Sequence, residues 1–188
     1  MRDLSLSLIA VLASLTATPA LATGLEIKIA GEAEGTVTVD LFEDVAPNHV
    51  ERITTLAREG GDRKSVVFHR VIDGFMAQTG DVAFGRIDGG DMAMAGRGGS
   101  DRPDLAAEFS DIAFERGVIG MARSQDPDSA NSQFFIMFGP APHLTGQYTA
   151  VGEVTRGMDV IDAIKRGEGS NGAVIGRPDV MASVTVTE

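Results

Sequence analysis

Short apolar runs of period two, separated by glycines, constrain this chain more than any other feature. Leu25, Ile27 and Ile29 alternate with polar or small residues, as do Val37, Val39 and Leu41. That spacing puts one apolar row on one face of a strand. The connection Gly31-Glu32-Ala33-Glu34-Gly35 makes the pair an antiparallel hairpin. Further strand-like runs cover residues 66–72, 75–78, 118–122, 133–138, 150–154 and 181–187. With 23 glycines spread along 188 residues, tight turns and short strands are expected throughout. The period changes twice. Over residues 47–58, Val50, Ile53, Leu56 and Ala57 share a helical face, with Pro47 in the first turn and Gly60-Gly61 as the stop. Over residues 158–165, Met158, Ile161 and Ile164 do the same, and Gly167 follows. No strand-helix-strand repeat appears, which disfavours a parallel doubly wound sheet. The predicted fold is mainly β: a closed antiparallel eight-stranded β-barrel capped by two α-helices.

The first residues read as an export signal. Arg2 and the terminal amine outweigh Asp3, residues 4–15 are apolar or small, and Ala20-Leu21-Ala22 supplies an A-x-A cleavage pattern before Thr23. The apolar run falls short of the roughly 20 residues of a membrane span. Residues 1–22 are therefore expected to be a cleaved signal peptide and residues 23–188 a single domain, periplasmic or secreted, monomeric and not inserted in a membrane. Cleavage near Ala22 removes one arginine and one aspartate, so the net charge stays at −11. An acidic chain of this kind lacks the basic face that nucleic acids require. Without cysteine it has no disulfide and no thiolate chemistry. His49, His69 and His143 follow no metal-ligand spacing, and no G-x-S-x-G elbow marks a serine hydrolase. Neither a metal nor a cofactor is expected. Residues 85–104 form a Gly-, Asp- and Arg-rich connection without periodicity, long enough to be a functional or mobile loop.

Two segments carry a resemblance. One is Phe68-His69-Arg70-Val71-Ile72-Asp73-Gly74-Phe75-Met76-Ala77-Gln78-Thr79-Gly80-Asp81. The other is Gly120-Met121-Ala122-Arg123 followed by Ser129-Ala130-Asn131-Ser132-Gln133-Phe134-Phe135-Ile136. In sequence, order and separation they resemble the signature blocks of the cyclophilins, and the likeness extends from about residue 25 to residue 186. Three positions depart from the family pattern. Asp73 stands where proline is usual, Thr79 where glycine is usual, and His143 where many eukaryotic members have tryptophan. The last departure implies weak inhibition by cyclosporin.

The resemblance implies a peptidyl-prolyl cis-trans isomerase acting on proline-containing, unfolded or nascent exported polypeptides. The alternative is a proline-binding adaptor or chaperone whose isomerase activity is incidental. Arg70 becomes the catalytic candidate, although an arginine between Phe68 and Ile72 on one face of a strand otherwise reads as a surface ion-pair residue. Phe75, Met76, Phe135 and Leu144 are implied to hold the proline ring, though each also reads as ordinary core. Gln78, Gln133 and the main chain at Ala122 and Arg123 are implied to hold the substrate backbone. His143, Tyr148 and His69 border the site, with His69 pointing away from Arg70 if the strand is regular.

Overall fold

The structure, a computed structural model, describes residues 23–60 and 65–188; the expected signal peptide lies outside them. The hairpin forms as its alternation requires. β1 (Gly24–Ala30) and β2 (Gly35–Leu41) pair antiparallel with Leu25 opposite Val39 and Ile27 opposite Val37, all four buried. α1 (Pro47–Glu59) follows, with Val50 and Ile53 in the core. No side chain of the helix itself caps its start. Glu108, distant in sequence, does so instead: its carboxylate accepts the amides of Asn48 and His49 at 3.2 and 3.1 Å, which satisfies helix-end donors with a negative charge.

The remaining elements are β3 (Val66–Val67), β4 (Arg70–Ile72), β5 (Met76–Thr79), β6 (Val118–Met121), β7 (Phe134–Met137), β8 (Ala150–Arg156), α2 (Met158–Ala163) and β9 (Val180–Thr187). The strands form one sheet in the order β3-β9-β1-β2-β8-β6-β7-β5-β4, with every pairing antiparallel. It curls around an inner apolar core into which Val50 and Ile53 of α1 and Ile161 of α2 also project. Among the described residues no helix is long and apolar enough to cross a membrane.

The sheet corrects the expected closed, eight-stranded barrel. Over the described residues it has nine strands and is an open half-barrel; the ninth strand arises because the run over residues 66–72 is two strands rather than one. Val66, Phe68 and Val71 all belong to the core. The step of three from Phe68 to Val71 is incompatible with a continuous strand, whose faces alternate every second residue. The chain therefore leaves the ladder at Phe68-His69. The end strands β3 and β4 are joined by that link and not by a ladder. This break also puts Phe68 inside while Arg70 and Ile72 face outward, against the expectation that the three share a face.

Beyond the break, alternation runs across four strands in register. Val71, Ala77, Ile136 and Ile119 point into the barrel. The outer face is also largely apolar. Met76, Val118, Phe135, Met137 and Ala150 join Phe114, Ala141 and Leu144 in a second buried cluster on it. Sheets of this kind usually leave one face to water. Here the helices help to cover the inner face and Phe114, Ala141 and Leu144 pack on the outer one, part of which is open at its rim.

Candidate active site

Register assembles the site. Arg70 lies opposite Gln78, Gln78 opposite Phe135, and Phe135 opposite Gly120, giving one transverse row across β4, β5, β7 and β6 on the outer face. Adjacent strands are about 4.8 Å apart, so the arginine and the phenylalanine stand roughly 10 Å apart with the glutamine between them. Met76 and Met137 form part of the next row. Gly120 is required there: a Cβ would lie 2.5 Å from both the Phe114 and Phe135 rings. The two phenylalanines stack at 5.9 Å, and Tyr148 meets Phe135 edge-on at 5.7 Å.

Arg70 is held by neutral groups. Its Nε donates to the Asn171 carbonyl at 2.9 Å and its Nη1 to Gln78 Oε1 at 3.1 Å, with Met76 Sδ at 4.0 Å from Nη1. No carboxylate pairs with it among the described residues, so the surface ion-pair reading fails. Burial of the guanidinium lowers its pKa from the ordinary arginine value, with Tyr148 opposing that shift; the group stays charged at neutral pH. Gln78 Nε2 donates to Gln133 Oε1 at 2.9 Å, and Gln133 Nε2 donates to the Gly98 carbonyl at 2.7 Å. Asn171, Arg70, Gln78, Gln133 and Gly98 thus form one chain of hydrogen bonds along the rim.

The apolar residues sit beside this chain. Met76, Phe135 and Leu144 are 1%, 6% and 7% exposed, so they form a floor more than walls. Phe75 is half-buried and stacks on the exposed His143 ring at 6.1 Å. His143 follows Pro142 in a one-turn helix that also carries Leu144. The Ala122 amide donates to the Gln133 carbonyl, so any bond from that residue to a ligand uses its carbonyl. The Arg123 guanidinium is occupied locally. It donates to the carbonyls of Gln147 and Ser124 and lies 4.5 Å from the centre of the Tyr148 ring. It braces the site wall rather than reaching outward. A pocket of about 450 Å³ adjoins these groups, lined in part by Gln78, Gly98, Ala122, Arg123, Asn131 and Gln133.

His69 is 8% exposed, its ring packs against Gly96, and neither ring nitrogen has a hydrogen-bond partner among the described residues. Burial lowers its pKa, partly offset by the charge of Asp81. Asp81 anchors the long loop. It accepts the amides of Ala83 and Phe84 on one oxygen and of Gly96 and Gly98 on the other, at 2.7–3.0 Å. Burial raises its pKa, but these amide bonds outweigh burial and the net shift is downward.

Two of the departures, Asp73 and Thr79, gain hydrogen bonds. Asp73 bonds Arg166 at 2.8 Å, and Arg166 lies over the Phe138 ring at 4.2 Å. The buried Thr79 hydroxyl donates to the Val67 carbonyl at 2.9 Å, bridging the strand break. Four contributors were missed from sequence: Asp81, Gly98, Asn131 and Asn171. Asn131 accepts the Ser100 amide at 2.8 Å and donates to Asp104 at 2.8 Å. The first and third lie in or beside the signature segments, but nothing local to Gly98 or Asn171 marks them.

The model of the family "cyclophilin type peptidyl-prolyl cis-trans isomerase/CLD" matches residues 25–186, nearly all of the described chain. A probable peptidyl-prolyl cis-trans isomerase of Brucella suis is 54% identical over 154 residues, covering 81% of this chain and 78% of its own. A peptidyl-prolyl cis-trans isomerase of Arabidopsis thaliana is 37% identical over 131 residues, covering 70% of this chain and 56% of its own. In fold, the chain is similar to a cyclophilin type isomerase of Cryptosporidium parvum, with a TM-score of 0.74 at 22% identity over 89% of this chain and 99% of that one. The chain belongs to the family of cyclophilin-type peptidyl-prolyl cis-trans isomerases.

Proposed function

We propose that this chain catalyses rotation about X-Pro peptide bonds of exported polypeptides before they finish folding, with Arg70 as the transition-state donor. One observation carries the reading: a half-buried cation held only by neutral acceptors, in register with an apolar floor. Rotation about an amide faces a barrier of roughly 18–20 kcal/mol because resonance is lost. In the twisted state the proline nitrogen regains its lone pair and the carbonyl becomes less dipolar. No nucleophile, proton transfer or metal is needed. The guanidinium offers several N–H groups in a fixed fork, and its Nη2 has no hydrogen-bond partner among the described residues.

An acceleration of about a hundred-thousand-fold corresponds to about 7 kcal/mol. One preorganised donor supplies about 3–4 kcal/mol of that. The rest comes from an apolar floor, Phe75, Met76, Phe135 and Leu144, which disfavours the dipolar planar amide and fixes the ring. Gln78, Gln133 and the Ala122 carbonyl hold the chain on one side of the bond while the other turns. The resemblance supports proline-containing polypeptides as substrates, and the A-x-A pattern at residues 20–22 supports action outside the cytoplasm.

A proline-peptide exchange assay tests the reading. Arg70→Ala is expected to lower kcat/KM more than about a hundredfold, as loss of a donor of this kind does, while the circular dichroism spectrum stays unchanged. A loss below tenfold would remove Arg70 from the donor role. Binding of the same peptide by wild type without any exchange would favour an adaptor.

A further inference from the structure

β4 is the last strand of the sheet, and its outer edge is covered by a strap, residues 167–174. Val71 is the strand residue whose main chain faces outward. Its amide donates to the Gly172 carbonyl at 2.7 Å and its carbonyl accepts the Gly167 amide at 2.9 Å; Val174 donates to the His69 carbonyl at 3.0 Å. The strap turns back on itself through Glu168 N to Ala173 O at 2.8 Å. Two of its glycines have positive φ, Gly169 at 66° and Gly172 at 68°. At Gly172 a Cβ would also lie 2.9 Å from the Val71 carbonyl oxygen, a main-chain atom of the strand itself. The strap therefore lies closer to β4 than any side-chain-bearing residue at position 172 allows. That close approach brings the Asn171 carbonyl to 2.9 Å from Arg70 Nε.

We infer that this strap is a positioning element for the guanidinium, with Gly172 as its key positioning residue. Gln78 alone fixes one nitrogen of the fork and leaves the plane free to turn about that bond. A second acceptor at Nε, on the opposite side, fixes the plane and leaves Nη2 as the unpaired nitrogen of the fork. Asn171 contributes through its main chain, so no substitution of its side chain deletes the bond. Its placement depends on the glycine that follows. The inference rests on the donor role proposed above for Arg70.

The test is a double-mutant cycle in the exchange assay. Gly172→Ala is expected to lower kcat/KM about tenfold, through kcat with KM little changed, and to shift the Arg70 Nε–H resonance as its bond to Asn171 lengthens. In the Arg70→Ala background the same substitution is expected to change kcat/KM less than twofold. Equal losses in both backgrounds, or undiminished activity of a folded Gly172→Ala protein, overturn the positioning role while leaving the donor role intact. Full activity of Arg70→Ala alone overturns both. Should Gly172→Ala not fold, Gly169→Ala serves in the same cycle: its Cβ has room, with Asn171 Oδ1 at 3.8 Å, but the φ of 66° strains the strap, so a loss confined to the wild-type background is expected and undiminished activity overturns the positioning role.

Discussion

Arg70 and His69 are neighbours with opposite fates. One presents a charge to the outer face; the other buries a ring with no hydrogen-bond partner among the described residues. Neither the donor nor the residues that hold it titrate near neutral pH, so activity is expected to stay nearly flat from about pH 6 to 9, given an arginine pKa above about 12. A bell-shaped profile that follows a histidine would contradict the mechanism. Stability behaves differently. The pKa of His69 is lowered in the folded chain, chiefly by burial. Below about pH 6.5, the ordinary histidine value, the unfolded chain takes up a proton that the folded chain refuses. The folded state therefore loses stability as pH falls from about 6.5 toward the depressed value. Urea midpoints measured from pH 7 to 5 are expected to fall less steeply in His69→Gln than in wild type; parallel slopes would refute this assignment.

At the scale of elements, the loop over residues 82–104 shows how the site wall is held. Its ends are drawn together by one buried carboxylate, Asp81, whose two oxygens each take two amides. In Asp81→Asn one oxygen becomes an NH₂ group, which faces donors and leaves two part-buried amides unpaired. The cost is about 2–3 kcal/mol, or roughly 5–10 °C in Tm for a domain of this size. Because Gly98 carries the far end of the Gln78–Gln133 chain, the exchange assay is also expected to register the change as a raised KM. A calorimetric Tm within 2 °C of wild type would show that the loop has other anchors. The net-lowered pKa of Asp81 also means its contribution is present above about pH 3.9 and is lost as pH falls through its folded value.

On the scale of the molecule, one sheet serves two cores. Its inner face encloses the barrel interior, and its outer face carries the site. The first strand begins at Gly24, which pairs at once with Asp40 and Thr187. Cleavage after Ala22 would therefore leave the whole sheet intact. Protein recovered from outside the cytoplasm is expected to begin at Thr23 on N-terminal sequencing, and an intact Met1 there would exclude the signal-peptide reading. The formal charge of −11 favours solubility.

Local period and turn chemistry alone determined the hairpin, both helices and the antiparallel character of the sheet, since each follows from the spacing of apolar residues along a few turns. What only the tertiary structure decided was everything that depends on distant partners. The break at Phe68-His69 arises because the core takes both Phe68 and Val71. The row from Arg70 to Phe135 depends on register between β5 and β7, where Gln78 faces a residue more than 50 positions away. The Asn171 carbonyl reaches Arg70 across 101 residues through a strap whose glycines look like any other turn. Hydrogen bonds of that kind are made by main-chain atoms common to every residue type, so the sequence carries no local mark of them.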